Sequence, residues 1–494
     1  MATILGSSMA FIDSTVVNVA LPALQSGLHA SIIDVQWVVE SYGLLLSALI
    51  LVGGALGDSR GRRAMFLLGV IVFGAASAGC GFSSNIQALV IWRAVQGLGA
   101  AFLVPGSLAI ISASFDEKSR GHAIGTWSGF TAITMALGPV LGGWLIEHVS
   151  WHWIFFINLP LAVLVVLITF WQIPESRNPK FQQVDWLGAA AATLGLAALV
   201  YALLESGATG WTPRVLGILV SGLLLVALFV VVERHVRTPM VPLDLFASSS
   251  FSGANLLTLF LYAALGAFFF LFPMNLIQIQ KYSATKAGAA SLPMIFLVFF
   301  LSRWSGGLVA RHGPRAPLII GPLIVASGFT LFAMRPVSAS YWSGPFPGFL
   351  VLGLGLAITV APLTTVVMSS VDQDRAGAAS GINNAVARVA SVLAVAALGI
   401  IMVAAFANSL RASIASLHLD SSTVHDLESN VARLGAIDVP ANLEPHMAVK
   451  VRNAIIHAFL VGFRIIMLVC SGLSVSSAAV AWRMIRARAA ETDY

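Results

Sequence analysis

Long apolar runs recur from the first residues of the chain almost to its end. A membrane-spanning helix needs roughly 20 mostly apolar residues at a rise of about 1.5 Å per residue. Scanning at that length predicts fourteen spans and therefore an all-α polytopic membrane protein. The first eight spans are 3–24, 38–57, 64–83, 86–111, 121–146, 152–172, 186–205 and 213–232. The last six spans are 251–275, 286–307, 316–334, 346–369, 385–407 and 456–480.

Composition supports this interpretation and argues against a soluble domain. The 494 residues are 58% hydrophobic and only 10% charged, with a mean hydropathy of +0.90, whereas a soluble domain is about a quarter charged. No basic segment or cleavage site accompanies the first apolar run, so we expect a retained span rather than a signal peptide. Cys80 and Cys470 both lie in apolar stretches, which indicates neither a disulfide framework nor a zinc site.

The basic residues indicate how the chain is oriented in the membrane. The net charge is +6, but Lys and Arg border the apolar segments, so no nucleic-acid partner is expected. Short cytoplasmic loops are enriched in Lys and Arg. With the amino terminus inside, fifteen of the 27 basic residues fall on cytoplasmic segments and four on short outer loops. We therefore predict an inner-membrane or plasma-membrane protein with both termini in the cytoplasm.

The two halves of the chain resemble each other. Gly54–Arg63 follows the second span, and Gly306–Arg315 follows the tenth span in the same register. A parallel repeat of two six-helix bundles, with two extra central helices, explains this similarity. The predicted parts are an amino-terminal bundle over 1–172, two linker helices and a cytoplasmic loop over 173–250, and a carboxy-terminal bundle over 251–494 with a long outer loop at 408–455.

Asp13 and Arg93 are oppositely charged residues inside spans of the first half. Asp13 opens the run Asp13–Pro22 in span one, and Arg93 opens Arg93–Gly99 in span four. A carboxylate in hydrocarbon is costly unless it is paired or protonated, so by default it marks a functional site. The two residues lie at depths that differ by roughly 5 Å, which long side chains can bridge. We expect them to meet; a purely structural buried pair is the alternative.

Glu40, in the run Trp37–Tyr42, is a second candidate for proton handling. It lies near the outer boundary of span two, where a plain interfacial carboxylate is the alternative. No Asp or Glu falls inside a predicted span of the second half, so proton handling is assigned to the first bundle. Arg303 and Arg388 lie close to predicted cytoplasmic span ends, and we expect them to snorkel towards the membrane surface.

The loop after span two combines glycines with charged residues. Glycines permit a tight turn and a close approach of helices, and a carboxylate here can pair with a basic group or a helix N-terminus in one conformation only. We predict a conformational latch; a basic loop that merely sets the topology is the alternative. The residues of the predicted latch are Gly54, Asp58, Gly61, Arg62 and Arg63.

Span five contains a run of small residues interrupted by a proline. Gly138, Gly142 and Gly143 leave a face on which another helix can pack closely, and Pro139 bends the helix axis. Generic glycine-rich helix packing is the alternative interpretation of this segment.

Together these motifs resemble the major facilitator superfamily, specifically the fourteen-span drug:proton antiporters of EmrB/QacA type. The resemblance implies two bundles around a central site, alternating access, and export of small amphipathic molecules driven by proton entry. It also implies that Arg93 takes part in proton transfer and that the helix with Gly138–Gly143 belongs to an antiporter. Ser59 departs from the family pattern, in which a basic residue commonly follows the acid.

Other function classes lack their motifs. The sequence has no P-loop, HExxH or GxSxG, so we expect neither an enzyme nor direct use of ATP, and the proton gradient takes the place of a cofactor. Histidines in the outer loop match no metal-ligand spacing. The expected partners are small amphipathic substrates and the bilayer, while a periplasmic adaptor and the substrate-binding residues stay open. The alternatives are an uptake symporter of the same superfamily and a non-transporting membrane receptor or scaffold.

Overall fold

The chain folds as a helical membrane protein, as the sequence predicts. A computed structural model describes residues 1–115, 117–177, 185–236, 239–334, 340–371, 375–440 and 443–486. Throughout these ranges the regular structure is helical, without a strand. Thirteen of the described helical segments are long and apolar enough to cross a membrane. The remaining predicted span, 121–146, lies within a helix over Glu117–His148, so all fourteen predicted spans coincide with helices.

The helices form three groups by their mutual packing, and the bundle boundaries at 172 and 250 stay predictions. The amino-terminal group consists of α1 (Ala2–Gly27), α2 (Ile32–Arg60), α3 (Arg62–Gly81), α4 (Ile86–Ser114), α5 (Glu117–His148), α6 (Trp153–Phe156) and α7 (Asn158–Gln172). A hairpin follows, formed by α8 (Trp186–Thr209) and α9 (Pro213–His235). The carboxy-terminal group consists of α10 (Ser249–Met274), α11 (Ala284–Ala289), α12 (Leu292–His312), α13 (Arg315–Met334), α14 (Pro345–Ser369), α15 (Ala376–Ala415), α16 (Ser421–Ser429) and α17 (Pro445–Met484).

Local side-chain capping explains where several helices begin. The Ser31 hydroxyl accepts a hydrogen bond from the Asp34 amide while the Asp34 carboxylate accepts from the Ser31 amide, so α2 starts with a capping box. Asn85 caps α4 by accepting from the amide of Ala88 at 2.8 Å. These caps satisfy backbone donors that would otherwise have no partner at the helix ends.

Close helix packing in the amino-terminal group depends on glycines. A Cβ added at Gly97 of α4 would lie 2.4 Å from the carbonyl oxygen of Tyr42 in α2, and one at Gly99 would lie 2.6 Å from the amide nitrogen of Phe73 in α3. Any larger side chain would therefore push these helices apart. The glycines of the Arg93–Gly99 run thus draw α2, α3 and α4 together around Arg93.

Two helices are much longer than the predicted spans. Both α15 and α17 contain 40 residues, which corresponds to about 60 Å of helix, whereas the hydrocarbon core is about 30 Å thick. Their extensions carry polar residues, so a scan for apolar runs misses them. Because α15 begins at Ala376, Arg388 lies about 18 Å from the helix start, and the expectation that it snorkels towards the membrane surface stays a prediction. The side chain of Arg303 lies outside the described part of the structure.

The outer segment between α15 and α17 is folded against the helices. A short 3₁₀ helix, Val431–Ala436, follows α16, and the side chains of Leu427 and Leu434 are fully buried. Hydrogen bonds from Ser422 and Thr423 lower the pKa of Asp420, the residue that caps α16, to about 2. The segment predicted to be an outer loop is therefore packed against the helices as an outer cap.

The predicted orientation in the membrane stays a prediction, and some of the basic residues behind it lie outside the described residues. Lys180, Arg237 and Arg488, counted above as cytoplasmic, and the outer-loop residue Arg335 lie outside the described residues. In the second copy of the repeat, the side chains at 306, 307, 310 and 311 are likewise not described.

Candidate functional site

Asp13 and Arg93 form a buried ion pair between α1 and α4. The Arg93 Nη1 atom lies 2.5 Å from Asp13 Oδ2, and the exposed fractions of the two side chains are 1% and 0%. The prediction that Asp13 and Arg93 meet, made from their similar depths in the membrane, therefore agrees with the structure. An ion pair this deeply buried is retained only when further hydrogen bonds satisfy its remaining polar atoms.

Amide and hydroxyl groups from three further positions complete the pair. Gln96 Nε2 donates to Asp13 Oδ1 at 2.9 Å, while Gln96 Oε1 accepts from Arg93 Nη1 at 2.7 Å. Asn158 Nδ2 approaches Asp13 Oδ1 at 3.5 Å and donates to the Ser77 hydroxyl at 3.0 Å. The network thus joins α1, α3, α4 and α7.

The other side of the guanidinium is held by α2. Arg93 Nε donates to the Val38 carbonyl oxygen at 3.1 Å, and its guanidinium carbon lies 4.3 Å from the centroid of the Tyr42 ring. A cation over an aromatic face is stabilised by the quadrupole of the ring, most strongly where water is excluded. Arg93 therefore keeps several interactions that do not involve Asp13.

This arrangement permits a change in the charge of Asp13 without leaving Arg93 unsupported. If a proton neutralises the carboxylate, the guanidinium still has the Gln96 and Val38 oxygens and the Tyr42 ring. Removing one member of a buried pair is otherwise strongly unfavourable. The geometry is thus compatible with an Asp13 that alternates between carboxylate and carboxylic acid.

Glu40 is buried but stands apart from this network. Its side chain is 0% exposed, and neither carboxyl oxygen has a hydrogen-bond partner among the described residues. Helix α2 begins at Ile32, six residues before the predicted span, so Glu40 lies deeper than the sequence indicated. An unpaired buried carboxyl is costly as an anion, and its role in proton handling stays a prediction.

The predicted latch contains an ion pair within its own loop. Asp58 Oδ1 lies 2.7 Å from the Arg62 guanidinium, one helical turn further along the chain. Gly61 has a φ of +123°, a conformation that favours glycine. A Cβ at Gly54 would make ordinary contact with Pro105 at 3.6 Å. Among the described residues, the ion-pair partner of Asp58 is therefore Arg62.

Glu175, which the sequence analysis did not assign to this loop, contacts the start of α3. Its carboxylate oxygens accept from the amides of Arg63 and Ala64, both at 3.0 Å, and so cap the N-terminus of α3. Arg63 also donates to the Phe170 carbonyl oxygen at 3.1 Å. The chain that leaves α7 is thereby fixed to the start of α3.

Helix α5 lies between the two bundles and contacts both through its small residues. A Cβ added at Gly138 would lie 2.1 Å from Thr15 Oγ1, and one at Gly142 would lie 2.7 Å from the Val16 side chain, both in α1. On the opposite side, a Cβ at Gly143 would lie 2.3 Å from the Ala284 carbonyl oxygen of α11.

Pro139 takes part in the same contact with the second bundle. A Cβ added at Gly288 of α11 would lie 2.0 Å from the Pro139 carbonyl oxygen. At the end of α5, Glu147 Oε2 accepts from the Thr285 hydroxyl at 2.6 Å. The residues of the antiporter-type motif thus pack at the junction of the bundles, where relative motion of the two halves must be accommodated.

The outer cap joins the two bundles at a second place. Gln25 of α1 donates from Nε2 to the Arg433 carbonyl oxygen at 3.0 Å and accepts at Oε1 from Gln278 Nε2 at 2.8 Å. Arg452 of α17 donates to the Gln278 carbonyl oxygen at 3.3 Å. Since Gln25 lies at the end of α1 opposite the chain termini, these contacts close the side of the molecule opposite the termini.

Bundles of apolar helices, a buried ion pair and close contacts between two halves define a polytopic membrane transporter. The chain belongs to the Major Facilitator Superfamily, whose profile matches residues 3–395.

Two curated relatives extend over nearly the whole chain. The tetracenomycin C resistance and export protein of Streptomyces glaucescens is 32% identical over 100% of this chain and 92% of its own length. The multidrug resistance protein Stp of Mycobacterium tuberculosis is 32% identical over 98% of this chain and 90% of its own.

Solved structures agree on the fold. A bacterial homologue of the human lysosomal transporter Spinster, in an inward-facing and unoccupied conformation, superposes with a TM-score of 0.67. The two sequences are 17% identical, and the superposition covers 99% of this chain and 98% of the other. At this identity the similarity supports the transporter fold alone.

Proposed function

We propose that this protein is a fourteen-span, proton-driven exporter of small amphipathic molecules, of the EmrB/QacA type. It lies in the inner or plasma membrane with both termini in the cytoplasm. Protons that enter the cell drive the substrate outwards, so the chain uses no cofactor and no ATP. The substrate is taken up at a site between the bundles, which alternate in their access to the two sides.

The buried network around Asp13 is the observation that carries this proposal. Asp13 is the carboxylate of α1, fully buried and surrounded by Arg93, Gln96 and Asn158. A titratable group in hydrocarbon is costly and by default functional. Water or substrate that displaces Arg93 in one conformation changes the proton affinity of Asp13 between the two states, which couples proton entry to conformational exchange.

The relatives support the direction of transport. Their names describe proteins of drug resistance and of export, and two of them align over nearly the full chain. The fourteen helices that coincide with predicted spans and the packing of Gly143 and Pro139 at the bundle junction agree with an antiporter rather than an uptake symporter.

Transport in sealed proteoliposomes tests the proposal. Labelled cationic, neutral and anionic amphipathic compounds are screened for protein-dependent movement that releases protons and that runs uphill in a pH gradient. Wild-type protein is expected to export at least one compound and to stop when the gradient is collapsed. Export that continues after the pH gradient and the membrane potential are dissipated would refute proton coupling.

The variant Asp13→Asn separates coupling from binding. It is expected to lose gradient-driven export while it retains substrate counterflow, because counterflow needs no net proton movement. Rates are normalised to the folded protein in the membrane. Asp34→Asn, at the start of α2, is the matched control and should keep uphill export. Undiminished uphill export by Asp13→Asn would show that Asp13 is not the coupling group.

A further inference from the structure

Arg388 lies on the face of α15 that is directed at the amino-terminal bundle. Ala385, three residues before it, packs against the core cluster of that bundle. Val392, four residues after it, would meet a Cβ at Gly43 of α2 at 2.9 Å. Residues three and four apart share one face of a helix, so Arg388 lies between two positions that both contact the first bundle.

No carboxylate of the described residues balances the charge of Arg388. Its side chain is only partly exposed, and within the described ranges no carboxylate lies at ion-pair distance from it. An unpaired guanidinium within a helix that is long and apolar enough to cross a membrane is costly and is by default functional.

Helix α2 lies between the proton site and the face of α15 that carries Arg388. One face of the Tyr42 ring carries the Arg93 guanidinium, and the next residue of α2, Gly43, faces Val392, four residues beyond Arg388 on α15. Because α2 and α15 belong to different bundles, a ligand at this place would touch both halves of the transporter and would lie beside the Asp13–Arg93 pair.

We propose that Arg388 is a substrate-binding residue that pairs with a carboxylate or similar planar oxyanion of the exported molecule. This inference rests on the proposed export function and adds the charge class of the substrate. A guanidinium presents a rigid fork of donors that matches a carboxylate in a bidentate pair. The ligand thus supplies the anion that the described residues do not, at the bundle interface where binding can influence conformational exchange.

Equilibrium binding to purified protein in lipid nanodiscs tests this assignment. The probes are naphthoate, naphthylmethanol and naphthylmethylamine, which share one aromatic body and differ in charge. Wild-type protein should bind naphthoate most tightly. Arg388→Gln should weaken naphthoate binding roughly tenfold to a hundredfold and change binding of the alcohol little, whereas Arg388→Lys should retain part of the preference.

A control makes the result specific. Arg464→Gln removes another arginine of the second bundle, whose guanidinium already donates to the Ala333 carbonyl oxygen at 3.0 Å, and should leave the preference for naphthoate unchanged.

Several outcomes would overturn the proposal. They are naphthoate that binds no more tightly than the alcohol or not at all, an Arg388→Gln variant that loses all three probes equally, and loss of the preference for naphthoate in Arg464→Gln. Thermal unfolding of each variant identifies any that fail to fold. Since binding needs no gradient, failure here is distinct from failure of proton-driven export.

Discussion

Asp13 and Arg93 have more polar contacts than an isolated ion pair would have. Gln96 contacts both members of the pair, and Val38 contributes a backbone carbonyl oxygen. In a low-dielectric interior such a network is stabilising when all its members are satisfied and costly when one is missing. The hydrogen-bonding balance of the network therefore matters more for folding than the formal charge of Asp13.

A double-mutant cycle at this pair tests that balance. Asp13→Leu leaves the arginine without its counter-ion and is expected to cost about 3–5 kcal/mol, whereas Asp13→Leu combined with Arg93→Leu should cost less than the sum of the single changes. Reversible unfolding of the purified protein by titration with SDS measures the difference. Additive single effects would contradict a coupled buried pair.

Gly61 is a second position where changing one residue is expected to alter the stability of the protein. Gly61→Ala introduces a Cβ at a φ of +123°, 2.7 Å from the Glu175 carboxylate, and should destabilise the protein by about 1–3 kcal/mol. Glu175 cannot move away cheaply because it holds the amides of Arg63 and Ala64.

A nearby glycine provides the control for that change. A Cβ at Gly57, inside α2, would meet nothing within 4 Å, so Gly57→Ala should be neutral or slightly stabilising. Unfolding midpoints of the two variants, measured side by side, check the contrast. Equal midpoints would show that neither the backbone conformation nor Glu175 constrains the loop.

The sequence predicted the meeting of Asp13 and Arg93 because helix depth follows from a constant rise per residue. It did not predict Asn158, which lies near the outer start of span six and looks like an ordinary interfacial residue. Glu175 was missed for a similar reason. It lies beyond the end of a predicted span, where no periodic sequence pattern indicates what a residue contacts. Such residues acquire partners only through tertiary packing, which a single sequence does not encode locally.

At the scale of helices, α5 determines how closely the bundles approach on the outer side. Its contact with α11 places backbone against backbone, with no side chain that can move away. The outer half of the interface is therefore tight in this conformation, and it must separate when the transporter opens to that side.

Gly288→Ala is expected to weaken this closure. The added methyl group would lie 2.0 Å from the Pro139 carbonyl oxygen, so α5 and α11 must separate and the outward-open population should rise. Spin labels at His148→Cys and Lys286→Cys should report longer distances. Gly472→Ala, whose Cβ would meet nothing within 4 Å, should leave the distances unchanged; an unaltered distribution in Gly288→Ala would contradict the tight contact.

Hydropathy located the spans but not the full length of two helices. A scan for spans measures the mean hydropathy of a window of residues. The outer ends of α15 and α17 alternate between polar and buried apolar positions, which lowers that mean. Val451 and Ile455 are fully buried at the start of α17, although 408–455 was predicted to be an outer loop. Amphipathic extensions are recognised from their helical periodicity rather than from mean hydropathy.

At the scale of the whole molecule, the contacts between bundles predict that fixing the outer side will stop transport. A short thiol cross-link between Gln25→Cys and Gln278→Cys, in a background without other cysteines, should abolish export, and a reductant should restore it. These side chains hydrogen-bond across the two bundles at 2.8 Å.

A cross-link within one half serves as the control. Arg411→Cys and Glu428→Cys replace an ion pair inside the outer segment at 2.9 Å, so linking them should leave export intact. Export that persists in the Gln25–Gln278 cross-linked protein would mean that the outer contacts do not separate during transport.

The length of α15 and α17 has a mechanical consequence. A rod anchored in the bilayer and projecting roughly 20 Å beyond it turns a rotation of about 10° into a displacement of roughly 3–4 Å at its tip. Leu434 is buried between these ends and the end of α1 and would move together with the ends of α15 and α17. A modest rocking of the second half is thus amplified at the place where the exported molecule must leave.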